Sequence, residues 1–144
     1  MLVTSFVYCE SIQSQQIQKP NGGQVHTIVN PYQTLTPYSI PGKFSFSISI
    51  GMQGDEFSSK DNSLKVDFFD PESNVVHTTN EINVQRAVID GVPVQNPGLI
   101  LNVDIRNMLF TKKGIYTTKL SVNGEYIGSY SILVTEEQIS TSNM

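Results

Sequence analysis

Residues Lys43 to Met52 read KFSFSISIGM, and this stretch restricts the fold more than any other. Phe44, Phe46, Ile48, Ile50 and Met52 alternate with serine and glycine, a period of two that only an extended strand turns into one apolar and one polar face. Such a strand is expected to bury one side and wet the other, the pattern of an antiparallel sheet covered on one face. The same period runs through Leu64, Val66 and Phe68, through Leu99, Leu101, Val103 and Ile105, and through Tyr116, Thr118, Leu120 and Val122. After Val122 the pair Asn123-Gly124 supplies the two residues that most readily take positive φ, as a tight type I′ turn requires. On the return strand Ile127 falls out of phase with Tyr130, Ile132 and Val134. A bulge at Gly128 absorbs the extra residue, and a three-residue loop from Asn123 to Glu125 is the alternative.

The rest of the chain reads the same way. Leu2 to Cys9 is an opening strand and Gln24 to Val29 a second, while DPES, Asp70 to Ser73, has the chemistry of a type I turn. Asn30 to Gly42 carries three prolines and reads as loop or edge, because proline donates nothing to a ladder. Asp90 to Gly98 is a second proline- and glycine-rich loop. Helix signals are few: Ser11 to Gln18 is the best candidate, and DIRNMLF has room for one turn. Short strands at regular spacing, separated by turn residues, predict an all-β chain. The architecture expected is a single-domain antiparallel β-sandwich over residues 1–135, immunoglobulin-like in general architecture, with a polar tail at 136–144 that frays. Tyr116, just after Gly114, stands where a tyrosine corner would. Its hydroxyl is expected to bond backbone near residues 109–113.

Four segments, FVYCES, IPGKFSFSISIGM, LKVDFFDPESNVV and GIYTTKLSVNGEYIGSYSILV, occur here in one order across nearly the whole chain. With them the chain resembles a family of small uncharacterised bacterial β-sandwich proteins, a domain of unknown function. The resemblance implies a fold and brings no activity, cofactor or catalytic residue with it. The segment from Ser11 to Val29 departs most, being longer and richer in glutamine.

The residues point away from chemistry. A net charge of −4 argues against a phosphate-binding face, and the adjacent basic pair Lys112-Lys113 precedes Gly114 and reads as a turn. No nucleic acid is therefore expected as a partner. No stretch approaches the ~20 apolar residues that span a bilayer, and the start of the chain lacks the features of a secretory signal. A soluble cytoplasmic protein that engages no membrane is the expectation. Cys9, the single cysteine, lies in an apolar strand where burial makes a thiol inert. His26 and His77 both fall in strands, and no serine sits in a nucleophile elbow. Asp55, Glu56, Asp61, Asp67 and Asp70 cluster in sequence without the spacing of a calcium loop, and Asp67 is expected to face solvent. These features argue for no enzyme, no cofactor and no metal.

Two function classes remain. A non-catalytic protein-interaction or adaptor module would use the end loops of the sandwich, with Tyr32, Leu35 and Tyr38 facing an unidentified protein partner. The competing reading of those side chains is that they tuck down over the core. Alternatively the chain binds a small ligand, an anion or a nucleotide, in a cleft near the loop at residues 90–98, for which Asn102, Arg106, Asn107 and Arg86 are the polar candidates. Both a monomer and a homodimer paired through a sheet edge are compatible with the sequence.

Overall fold

Residues 1–17 and 23–137 are described by a computed structural model. They form twelve strands, β1 (Leu2–Ile17), β2 (Gly23–Pro31), β3 (Thr34–Leu35), β4 (Gly42–Gln53), β5 (Asn62–Phe69), β6 (Val75–Thr78), β7 (Ile82–Val84), β8 (Val88–Ile89), β9 (Val92–Pro93), β10 (Gly98–Phe110), β11 (Gly114–Val122) and β12 (Glu125–Val134), plus one helical turn, α1 (Glu56–Ser59). One sheet has the order β10-β4-β1-β2. The other runs β3-β12-β11-β5-β6, with β7 also paired to β5. The strand pairs are antiparallel, apart from β12 with β3, which is parallel. The two sheets stack as a β-sandwich, as the alternation predicts.

Aromatic side chains fill the space between the sheets. Phe46 of β4 lies 5.5 Å from Phe68 of β5, Phe68 stacks 5.4 Å from Tyr116, and Phe110 meets Tyr116 edge-on at 5.2 Å. Tyr8 of β1 ties the layers with hydrogen bonds, its hydroxyl 2.6 Å from Thr118 Oγ1 and donating to the Tyr130 carbonyl at 3.1 Å. Burial pushes the Tyr8 phenol up to about 12 against the opposing pull of the Thr118 bond, so it stays neutral at physiological pH. Tyr116 is the corner its position predicts, donating to the Lys112 carbonyl at 2.9 Å.

The closing hairpin uses the two-residue turn. Val122 pairs with Glu125, Ser121 with Tyr126 and Leu120 with Gly128, so Ile127 is the extra residue of a bulge beside Gly128. Asn123 and Gly124 take φ of 52° and 86°. The same chemistry appears at Asp90-Gly91, φ 51° and 77°, which joins β8 to β9 inside the segment expected to be plain loop. At DPES the Ser73 N–H donates to the Asp70 carbonyl at 3.0 Å, while Asp70 Oδ1 accepts from Glu72 and Asn74 N–H. These bonds, Asn74's first, hold the Asp70 carboxyl below its ordinary pKa.

Several expectations need correction. Ser11–Ile17 is not helical but the second half of β1, paired with β2 from Ser11↔Val29 to Ile17↔Gly23. A strand partner satisfies its backbone, and no apolar stripe was present to hold a helix down. Gln18 lies outside the described residues. DIRNMLF is strand, with a bulge where Asn107 takes φ 54°. Asp67 is buried, because β5 is an interior strand and its outer face is crowded by Lys119 on one side and Thr78 on the other; Lys65 Nζ stands 3.8 Å from its carboxylate. The C-terminal tail is anchored at its start, where Glu137 N–H donates to the Pro37 carbonyl at 2.9 Å and Glu136 pairs with Lys113 at 3.5 Å. Residues 138–144 of that tail lie outside the described residues.

Replacing Tyr116 by Phe removes one buried hydroxyl and leaves the Lys112 carbonyl without its partner. The expected loss is about 1 kcal/mol of unfolding free energy, read as a lower urea midpoint at unchanged slope. An unchanged midpoint would mean that the corner bond contributes nothing net.

Candidate functional site

The residues expected to meet a partner are dispersed. Leu35 is 0% exposed and belongs to the core, so its side chain is unavailable to a partner; β3 places it against Val134 in the parallel pair with β12. Tyr32 is half-buried and packs on Phe44 at 5.8 Å. Tyr38 alone projects, at 81% exposure. The loop tucks its apolar residues down at two of these three positions. Of the polar candidates, Arg106 is engaged with Asp104 at 3.3 Å, Asn107 donates its backbone N–H to Ser45 Oγ, and Arg86 donates its own to Asp61. They form no common cluster.

What the sequence did not disclose is a second covering layer. Residues 46–52 of β4 are buried on both faces, including the serines: Ser47 is 0% and Ser49 6% exposed. The strand therefore does not wet its polar side. The cause lies in β1, whose first half pairs with β4 up to Cys9↔Ser47 and whose second half pairs with β2 from Cys9↔Pro31 onward. His26 pairs with Ser14, five residues beyond Cys9, whereas Asn102 is level with Val7 through Ser49. A straight ribbon would hold them roughly 23 Å apart at ~3.3 Å per residue. Instead His26 Nδ1 is 3.4 Å from Asn102 Nδ2 and 2.9 Å from Ser14 Oγ. The β1–β2 arm therefore folds back across the outer face of the first sheet. The ladder is interrupted at Glu10/Asn30, and Asn30 takes the left-handed φ of 52° that permits the bend.

Beside the arm lies an open groove of about 610 Å³ lined by Thr4, Ser5, His26, Gly51, Met52, Gln53, Gly98, Leu99 and Ile100, of which Thr4, Ser5, Gly98 and Ile100 are exposed. Its floor is flat because two glycines stand in adjacent rows, Gly51 opposite Ile100 and Gly98 opposite Gln53. A Cβ at Gly51 would come within 2.6 Å of Ser5 Oγ and 2.7 Å of Thr4 Oγ1, so the two hydroxyls lean over that glycine. A Cβ at Gly98 would meet nothing nearer than the Met52 carbonyl at 3.7 Å. The lining carries no Lys, Arg, Asp or Glu.

One margin of this groove is β10, the outermost strand of its sheet. Gly54 N–H donates to the Pro97 carbonyl at 3.1 Å, which sets the phase of the ladder. Leu99, Leu101 and Val103 direct their backbone groups to β4, so the N–H and C=O of Gly98, Ile100, Asn102 and Asp104 point away from the sheet. Beside this edge the core is incompletely closed. Leu99 and Leu101 of β10 are half-buried and packed on the core. The loop at residues 85–97 is held across this end by Ala87 N–H to the Phe57 carbonyl, at 2.6 Å, and by Asp55, which accepts from Asn96 N–H.

Farther along the outer face stands a polar row. Ser47 donates to Asp104 Oδ1 at 2.6 Å, Arg106 contacts both, and Cys9 is the register neighbour of Ser47. Burial and the neighbouring Asp104 push the Cys9 thiol up, with Arg106 opposing. The row thus keeps its sulfur protonated and out of reach. Among the described residues no three His, Cys, Asp or Glu side chains converge as metal ligands would. No helix among them is long and apolar enough to cross a membrane. In native buffer Cys9 is expected to resist a thiol-reactive disulfide reagent for as long as the sandwich stays folded, and to react fully in denaturant. Rapid stoichiometric labelling of the native protein would show that the arm opens readily.

No curated protein matches this chain. Among solved structures, an immunoglobulin-like protein from Pseudomonas aeruginosa aligns at 13% identity and a TM-score of 0.31, over 92% of this chain and 98% of that one. The family of unknown function DUF6941 matches residues 5–135, nearly the full length of the sandwich, and the chain belongs to that family.

Proposed function

We propose that this protein is a non-catalytic interaction module that takes an extended segment of another polypeptide onto β10. The observation that carries this reading is the pairing of an open ladder with an unfinished core. Outward backbone groups at Gly98, Ile100, Asn102 and Asp104 are matched in geometry only by another extended backbone. A strand added there would direct every second side chain over the half-buried Leu99 and Leu101. Backbone bonds would provide the register, and the apolar flank most of the driving force.

The end-loop version of the interaction reading has less support, since Leu35 is in the core and Tyr32 packs on Phe44. The anion or nucleotide reading has less again, because the groove beside residue 98 is lined without a cationic Lys or Arg.

The test is a phage library of random nonapeptides panned on the protein, with selected peptides measured by fluorescence polarisation. Ile100→Pro removes an outward N–H while leaving the β4 ladder intact, as edge strands tolerate. It is expected to weaken selected peptides at least tenfold with melting little changed, whereas Tyr38→Ser leaves them bound. Loss of binding in Tyr38→Ser, with Ile100→Pro unaffected, would return the interaction to the end loop and end the β10 reading.

A further inference from the structure

We infer that a second copy of this chain is a partner of the outer face of the first sheet: two copies exchange their β1–β2 arms, each arm lying over β4 of the other copy as it lies over its own here. Strand addition at β10 is not needed for this.

The arm, Ser11–Ile17 with Gly23–Val29, is built apart from the sandwich. The buried apolar core takes Tyr8 and Cys9 before it and Leu35 after it, and no described residue of the arm belongs to that core. Ile12 and Ile28, paired directly opposite one another, are only half-buried and lie outside the core cluster. What the arm meets on the sheet is polar. Asn102 Nδ2 donates to His26 Nδ1 at 3.4 Å, and the β4 side chains covered on this face are Ser47 and Ser49. Lifting the arm therefore gives up few apolar contacts and leaves the sandwich core whole, the mark of a segment that opens on its own.

The hinge is as simple as the contact. Glu10 and Asn30 join the arm to the body, and the ladder is interrupted between them. The pairs on either side, Cys9↔Pro31 and Ser11↔Val29, keep one register, so no inserted residue locks the bend. The bend rests on Asn30, whose φ of 52° is left-handed. Asparagine tolerates that backbone, but for a residue with a Cβ it lies above the extended one. Turning Asn30 to extended values straightens the ribbon and carries His26 roughly 23 Å from its own Asn102, at ~3.3 Å per residue. The arm's contact surface then has no counterpart in its own chain. The surface that fits it is the same one on another copy. A two-fold arrangement closes both exchanges at once, remakes each contact of the closed arm between chains and relieves two left-handed hinges. Lost translational freedom opposes it, so the dimer gains with concentration.

The experiment puts the two sides of the contact in separate chains, His26→Cys in one and Asn102→Cys in the other, both with Cys9→Ser. The two are unfolded in urea, mixed, refolded together at low and at high protein concentration, and treated with a short bis-maleimide. Each chain then holds one thiol, so a closed monomer cannot be crosslinked within itself. A covalent product with one of each chain reports an arm of one copy on the sheet of the other, and its yield is expected to rise with concentration. A dimer paired edge to edge through β10 joins Asn102→Cys to itself instead. The hinge is tested by light scattering on a sizing column. Asn30→Val disfavours the left-handed backbone and is expected to lower the dimer dissociation constant about a hundredfold, about tenfold for each hinge. Asn30→Gly, which adopts that backbone freely, is expected to raise the monomer fraction. Mixed product that Asn30→Val does not increase would support exchange and overturn Asn30 as its hinge. Mixed product absent at every concentration overturns arm exchange, whether or not Asn30→Val folds, and so does a dimer that crosslinks only Asn102→Cys to itself.

Discussion

The constraint on which the rest of this structure depends is the burial of β4 on both faces. A strand in that position must satisfy its outer side chains without water, and serine meets the demand where a larger apolar residue would not. Ser47 satisfies its hydroxyl by donating a hydrogen bond to Asp104. Gly51 continues the same logic, yielding its side-chain space to the hydroxyls of Thr4 and Ser5. The groove and its flat floor border a second layer laid over a strand already covered by the sandwich core.

The sheet's other margin solves a different problem. A strand of thirteen residues with one open edge invites indiscriminate pairing with other chains. β10 limits this by a bulge at Asn107, which breaks the continuous edge, and by Asp104 and Arg106, which place opposite charges on its outer face. What remains regular is the first half, Gly98 to Val103, where the flank is apolar and the bare glycine stands. A protein with no use for that edge would gain by blunting all of it. The contrast between a defended half and an open half is what makes the edge a candidate for recognition.

Local features of this architecture were legible in the sequence because neighbouring residues decide them. Alternation marked the strands, and the phase conflict at Ile127 pointed to either a bulge or a three-residue loop, of which the bulge after the Asn123-Gly124 turn is the one that occurs. Tyr116 was legible because a corner tyrosine bonds only a few residues upstream. The candidate site was not, and for a physical reason: its lining comes from β1, β2, β4 and β10, which converge only once strand order is known. KFSFSISIGM itself misled about its serine face, since a polar face wetted by water and one covered by an arm have the same period. The decisive residue for the arm is Asn30, an ordinary asparagine in sequence whose left-handed backbone redirects two strands. Leu35 was misplaced because a proline-rich loop gives no period by which inward and outward side chains can be told apart.

The division of β1 between two partners also orders the events of folding. Its pairing with β2 closes a short loop and costs little chain entropy, so that hairpin is available as soon as residues 1–31 leave the ribosome. The arm has nothing to fold onto until β4 docks against the first half of β1, and the sheet is complete only when β10 returns from residue 98 to pair with residue 53. The last strand to join is thus the one left with a bare side. For that interval β4 is itself an edge with a free ladder and a row of buried-to-be aromatics. A nascent chain stalled between residues 53 and 98 would offer there the kind of surface that chaperones hold.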